Sequence, residues 1–178
     1  MAEMIDVVRR FQERLDFLQF DREFDECKFL LVDQMVHGFG GQISRRMLGL
    51  QLGYMFNRTV VFKRESDPPY VRCLKPTGKY TYDDIKDLDV VPFHYSADQA
   101  DKVAFFDFNA FWADREFRSP YYSYVPEEFS KAGYGRLYFD GQLLSRLQWL
   151  EEFEGYVESV KRRIGYIGQI ISVHIRRG

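Results

Sequence analysis

Apolar positions recur at three- and four-residue steps over residues 3–20, where Met4, Val7, Val8, Phe11, Leu15 and Leu18 fall on one side of a helix. The pattern then changes. Residues 28–32 form a short continuous apolar run with the length of a buried strand, and residues 59–63 form a second. Between them His37-Gly38-Phe39-Gly40-Gly41 reads as a glycine-rich turn. Residues 42–56 follow as a helix, with Ile43, Met47, Leu50 and Tyr54 on one stripe. Strand, turn, helix and strand in that order predict an α/β fold with an open parallel sheet.

Residues 64–100 break the pattern with Pro68, Pro69, Pro76, Gly78 and Pro92, and read as irregular apart from a short strand near Val90 and Val91. Residues 102–108 are another strand. Residues 109–132 are aromatic, interrupted by Pro120 and Pro126, and fit neither period. Helices are predicted over residues 134–147 and 148–164, the second with Leu150, Phe153, Val157, Val160 and Ile164 in phase and Gly165 as its stop. A last strand over residues 169–175 ends in His174-Ile175-Arg176-Arg177-Gly178. Its apolar run is that of a central strand covered on both faces. The chain is therefore expected to be part of a longer one.

Composition narrows the function classes. At 178 residues the chain has room for one domain or slightly more, and its 46% apolar and 29% charged residues are those of a globular protein. A net charge of −2 argues against a broad nucleic-acid surface. No stretch reaches the roughly 18 apolar residues that span a bilayer, so membrane attachment is expected only through an anchor outside this chain. Met1–Arg10 reads as amphipathic helix, not as a secretory signal. Cys27 and Cys73 fit either a lumenal pair or two reduced thiols, and Asn57-Arg58-Thr59 is a formal glycosylation sequon.

Two constellations carry candidate chemistry. In the first, Gly38, Phe39, Gly40, Gly41 and Gln42 sit at a strand-to-helix turn, where backbone N–H groups can approach an anion. Arg45 and Arg46 follow in the first turns of the helix, where a cation opposes the helix dipole. A bound phosphate would account for them; a tight turn with solvated arginines fits the same residues. In the second, His174 and Arg176 alternate with Arg177 at the carboxyl end of a predicted parallel strand, where open α/β sheets bind ligands. Arg can hold a diphosphate through two parallel charge-assisted bonds. The competing reading is a basic chain end. The aspartates Asp83, Asp84, Asp87 and Asp89 match no metal loop and read as a solvated face. Phe105, Phe106, Phe108, Phe111 and Trp112 read as core, whereas Tyr121, Tyr122 and Tyr124 suit sugar stacking better.

Taken together these segments resemble the α1,6-fucosyltransferase family, which includes core N-glycan and rhizobial nodulation fucosyltransferases. Gly38-Phe39-Gly40-Gly41-Gln42 is similar to the family's Gly-aromatic-Gly-x-Gln turn. The segment from Leu52 through Arg58-Thr59 to Phe62 is similar to its helix end, Arg-Thr pair and strand. Gln148-Trp149-Leu150 resembles the approach to the donor motif, and Ile171 through Arg177 resembles the His-x-Arg-Arg strand. The resemblance spans residues 27–63 and 134–178. Gly178 stands where animal members have Thr, and Ser44 and Arg45 stand where the family has two His residues. Cys27 and Cys73 fall near the positions of one animal disulfide, at a shorter spacing.

The resemblance implies a GT-B-like transferase. Residues 1–166 would be its amino-terminal α/β domain, and residues 167–178 the first strand of the Rossmann-like domain that binds GDP-fucose. It implies transfer of fucose, with inversion and without metal or other cofactor, to a GlcNAc-containing glycan or glycoprotein, with α1,6 linkage. Arg176 would hold the β-phosphate as the catalytic cation. His174, Arg177, the Gly38–Gln42 turn and Arg45 would line the donor site. The general base is expected beyond Gly178, and the present residues alone are expected to be inactive. The setting implied is the Golgi lumen in a eukaryote and the cytoplasm in a bacterium. A protein O-fucosyltransferase, and a non-catalytic interaction module on the same fold, are the alternatives.

Overall fold

The computed structural model describes residues 2–33, 39–63, 74–93, 103–113 and 115–165. The chain divides into two compact units, residues 1–148 and residues 149–178.

The first unit is built on four strands: β1 (Phe29–Val32), β2 (Thr59–Phe62), β3 (Val90–Pro92) and β4 (Val103–Phe106). They pair in the order β2-β1-β4-β3, all parallel. Mixed α/β architecture with an all-parallel sheet is what the alternation of strand and helix patterns predicts. β1 and β2 are buried at every position, because helices and loops cover both faces. Leu30, Val32, Val60, Phe62, Ala104 and Phe106 point to one face, where Phe108, Phe111 and Tyr121 pack. Phe29, Leu31, Val61 and Val103 point to the other, against Cys27 and Ile85. The edge strand β3 leaves Val90 and Val91 exposed.

Helix α1 (Ala2–Asp16) presents Val7, Phe11 and Leu15 at four-residue steps, all buried, while Asp6, Arg9 and Glu13 pair on its outer face. Its predicted continuation to residue 20 is a wider turn, in which the Arg22 N–H donates to the Phe17 carbonyl five residues back. This turn delivers Gln19 to the sheet. The Gln19 Oε1 accepts from the Val60 N–H at 3.1 Å, and the Thr59 hydroxyl donates to the Leu18 carbonyl at 2.7 Å. The Arg58 guanidinium, also buried, donates to the Phe29 carbonyl at 3.2 Å. Arg58 therefore ties the amino ends of β1 and β2 together, and Thr59 ties β2 to the turn after α1.

Helix α2 (Phe39–Met55) begins three residues earlier than the pattern predicts, so Gly40 and Gly41 belong to its first turn. It is buried on two sides. Leu48 and Leu52 face the sheet, and Leu50 and Tyr54 face the cluster around Phe11, Phe129 and Phe139. Gly49 and Gly53 bring its backbone onto β2. A Cβ on Gly53 would stand 2.3 Å from Val60 Cγ2, and one on Gly49 would stand 2.9 Å from the Phe62 ring.

The regions without a clear period are more ordered than their prolines suggest. A short helix α3 (Tyr82–Ile85) follows Thr81, and the Asp84 carboxylate accepts from both the N–H and the hydroxyl of Thr81. Asp84 is thus a capping residue and not merely part of a solvated acidic face. After β4 come α4 (Phe108–Ala113), α5 (Arg115–Ser123) and α6 (Glu127–Lys131). The Asp107 carboxylate caps α4 through the N–H groups of Asn109 and Ala110. Pro120 sits inside α5. The helix predicted over residues 134–147 is α7 (Arg136–Leu144). The Cys27 thiol is free and buried, and donates to the Glu23 carbonyl. Cys73 lies outside the described residues.

The second unit is described through α8 (Glu151–Arg163), which starts on Glu151, Glu152 and Glu154 and ends on Lys161, Arg162 and Arg163, the charge order the helix dipole favours. Gly165 follows at φ +68° and stops it as predicted. The strand predicted over residues 169–175 lies outside the described residues.

Candidate functional site

The strand order reverses between β1 and β4. From β1 the chain moves outward to β2 on one side, whereas β4 and β3 occupy the other. In open parallel sheets ligands bind beyond the carboxyl ends of the strands at such a reversal. The amino ends of α2 and α4, the helices that follow β1 and β4, border a cavity of about 490 Å³. Gly41, Ser44 and Arg45 contribute from the first two turns of α2, which follows β1, and Phe108 contributes from the start of α4, directly after β4. Met47 and Leu48 add an apolar wall, and Tyr122, Arg136 and Asp140 close it from α5 and α7.

Arg45 is only 2% exposed, and its guanidinium carbon lies 4.6 Å from the centroid of the Phe108 ring. Burial draws its pKa down, and the Asp33 charge at the end of β1 works in the opposite direction. Arginine starts so high that the side chain stays charged at neutral pH. The cavity therefore has a desolvated cation beside the amino end of a glycine-led helix.

The second arginine does a different job. Arg136 Nε donates to Asp140 Oδ2 at 3.0 Å, and its Nη2 stands 2.8 Å from Oδ1. Its Nη1 donates to the carbonyls of Tyr121 and Tyr124 at 2.9 and 2.8 Å. The Tyr121 carbonyl lies in the last turn of α5, where it also accepts from the Tyr124 N–H at 3.4 Å, and Tyr124 follows directly after the helix. Arg136 thus fixes α5 to α7 and holds Tyr122 at the cavity. Gln51 adds a second tie, donating to the Tyr121 carbonyl at 2.8 Å. Burial raises the Tyr122 hydroxyl above the ordinary tyrosine range, and the charges of Arg118 and Arg136 oppose that.

Of the sequence-predicted site residues, Gly41 and Arg45 line this cavity. Gly40 is in the first turn of α2, where an added Cβ would meet nothing within 4 Å outside the helix's own backbone, and the Phe39 backbone opens the helix. Gln42 is fully buried and does not line the cavity. Arg46 is buried on another side of α2, with its guanidinium 5.1 Å from the centroid of Phe62. Neither Arg45 nor Arg46 is the solvated arginine of the competing reading. Gly38, His174, Arg176 and Arg177 lie outside the described residues.

The aromatic reading divides. Phe106 and Phe111 are core as predicted, Phe108 is buried yet reaches the cavity, and of the three tyrosines Tyr122 lines it. Arg136 and Asp140 escaped sequence reasoning, because a four-residue charge spacing reads first as a surface pair. Among the described residues there is no cluster of three metal-ligating side chains, and no helix is long and apolar enough to cross a membrane. No protein-family model matches the chain, and a search of the curated proteins found no match.

Proposed function

We propose that residues 1–166 form the amino-terminal α/β domain of an inverting, GT-B-like glycosyltransferase that moves fucose from GDP-fucose to a GlcNAc-containing glycan in α1,6 linkage. In this reading residues 167–178 begin the domain that holds the nucleotide. The observation that carries the proposal is the placement of Gly41 and Arg45. Both come from the turn-and-helix segment that resembles the fucosyltransferase motif, and both line a cavity bordered by the helices that follow β1 and β4, the strands at the reversal of a parallel sheet. Its volume lies within the usual range for small-molecule sites.

The chemistry follows from the charges. The acceptor oxygen bonds to the anomeric carbon of fucose as the bond from that carbon to the phosphate oxygen breaks. The electron pair goes to GDP, the configuration inverts, and the acceptor proton passes to a base. The sugar gains oxocarbenium character while negative charge grows on the β-phosphate. A fixed guanidinium stabilises that charge more in the transition state than in the ground state. Arg176 is assigned this role, with His174 and Arg177 beside it, and Arg45 supplies positive charge from the amino-terminal domain. No metal is required where arginines do this work. The setting is the Golgi lumen in a eukaryote or the cytoplasm in a bacterium.

The test is incubation of the longer protein with GDP-fucose and an agalacto N-glycan bearing exposed GlcNAc, without added metal. A gain of one deoxyhexose on the glycan is expected. No gain with GDP still bound would overturn the acceptor assignment; no gain and no GDP binding would overturn the transferase reading. Turnover by residues 1–178 alone would contradict the domain assignment.

A further inference from the structure

We infer that the cavity lined by α2, α4, α5 and α7 is a pyranose subsite, in which a sugar ring stacks on Tyr122, its hydroxyls pair with Asp140 and Ser44, and a methyl-bearing substituent lies against Met47 and Leu48. The subsite deepens the transferase reading by naming which side chains take a sugar, and it rests on that reading only for the sugar's part in the reaction.

Four observations support it. Tyr122 lines the cavity and remains 45% exposed, although its ring is steadied by Phe111 at 6.0 Å and its backbone by the Arg136 clamp. An aromatic ring held on a rigid element with exposed area suits the C–H face of a pyranose. Asp140 is engaged by Arg136 through both oxygens. Oδ1 is buried against Arg136, and Oδ2, which accepts from the Arg136 Nε–H, keeps a second lone pair for a single hydroxyl donor. The Ser44 hydroxyl, exposed in the second turn of α2, can both donate and accept. Met47 and Leu48 give part of the lining an apolar character that suits a methyl group.

The same details disfavour a nucleobase. Guanine can offer a carboxylate two parallel N–H bonds, and Asp140 already presents its edge to Arg136. A flat base also prefers a slot between rings, and the Phe108 ring carries the Arg45 guanidinium 4.6 Å from its centroid. A sugar needs one ring and scattered hydroxyl partners, which this cavity has.

The experiment titrates N-acetylglucosamine, fucose, glucose and GMP separately into the 178-residue chain, observed by amide chemical shifts. The expected result is saturable shifts in α2, α5 and α7 with N-acetylglucosamine or fucose. Binding should be several-fold tighter than that of glucose, the scale of one buried methyl group. Which of the two sugars binds tighter identifies the substituent. Tyr122→Ala should weaken binding about tenfold or more, the scale of a lost aromatic contact. Tyr122→Phe, which keeps the ring, should retain it, and Ile5→Ala, exposed on α1 and outside the cavity lining, should change nothing. Absence of sugar-induced shifts at these helices, unaltered binding in Tyr122→Ala, or preferential protection of Tyr122 by GMP would each overturn the subsite. Sugar binding without transfer by the longer protein would leave the subsite standing and remove the transferase reading. Normal transfer with Tyr122→Ala would do the reverse.

Discussion

Replacing Gly53 with Ala should destabilise the first unit, although the same change in an open helix position stabilises. In a helix interior Ala is favoured over Gly by about 1 kcal/mol. At Gly53 that gain meets a collision: the new Cβ would stand 2.3 Å from Val60 Cγ2 and 3.0 Å from the Arg58 carbonyl oxygen. Val60 is 1% exposed in a central segment of β2, and its χ1 is stiff because it is β-branched. The Arg58 carbonyl is backbone, at the turn that the Arg58 side chain ties to Phe29. Neither neighbour can withdraw alone, so α2 must lift from the sheet. Overpacking of this kind costs about 1–3 kcal/mol and occasionally more. The closeness of the contact places Gly53→Ala at the upper end, for a net loss of about 1–2 kcal/mol after the helix gain. The midpoint of thermal unfolding should fall by roughly 2–4 °C per kcal/mol in a chain of this size. Gly141→Ala in α7, where a Cβ meets nothing within 4 Å, is the matched control and should hold or raise the midpoint. Urea unfolding of both variants reads the difference directly. A Gly53→Ala protein as stable as the parent would refute the claim that these glycines set the distance between helix and sheet.

Two further outcomes follow from buried polar groups. Arg45→Met removes a buried cation whose charge is coupled to that of Asp33, so urea unfolding should show a loss of stability, up to about 3–5 kcal/mol, the scale of breaking a buried pair from one side. Donor affinity in the longer protein should fall about tenfold or more, the scale of a lost charged hydrogen bond. Tyr54 donates to Glu128, and burial first, then this carboxylate, pushes its hydroxyl far above the usual tyrosine range. A raised folded-state pKa contributes stability that is complete below the unfolded value near 10 and is lost as pH climbs toward the folded value. Unfolding free energy should therefore decline above about pH 10, and Tyr54→Phe should reduce that slope by up to ~1.4 kcal/mol per pH unit. An unchanged slope in Tyr54→Phe would contradict the burial argument.

The sheet was legible because β1, β2 and β4 are buried on both faces and so appear as unbroken apolar runs. α1 was legible because one stripe of it meets the core and the opposite side is charged. α3 and α5 were not. Pro120 is a breaker by rule, yet α5 is short and its end is held from outside by Arg136 and Gln51, so tertiary bonds replace what the proline removes. At the site, Arg45 was legible as an anomaly: a cation where the helix dipole disfavours one. Arg136 and Asp140 were not, because their spacing on α7 is that of an ordinary surface pair, and only the return of α7 to the end of α5 turns them into a clamp. Gln42 shows the converse. It belongs to the motif-like turn, but the helical period carries it into the core, away from the cavity.

The central proposal is that an arginine holds the departing phosphate of GDP-fucose. The most direct measurement compares metal-free fucosyl transfer by the longer protein with that of its Arg176→Ala variant under single-turnover conditions, GDP-fucose saturating. The account predicts a fall of about 10²–10³ in the transfer rate, the effect of removing one charge-stabilising donor. Retention of most of the rate in Arg176→Ala would contradict it.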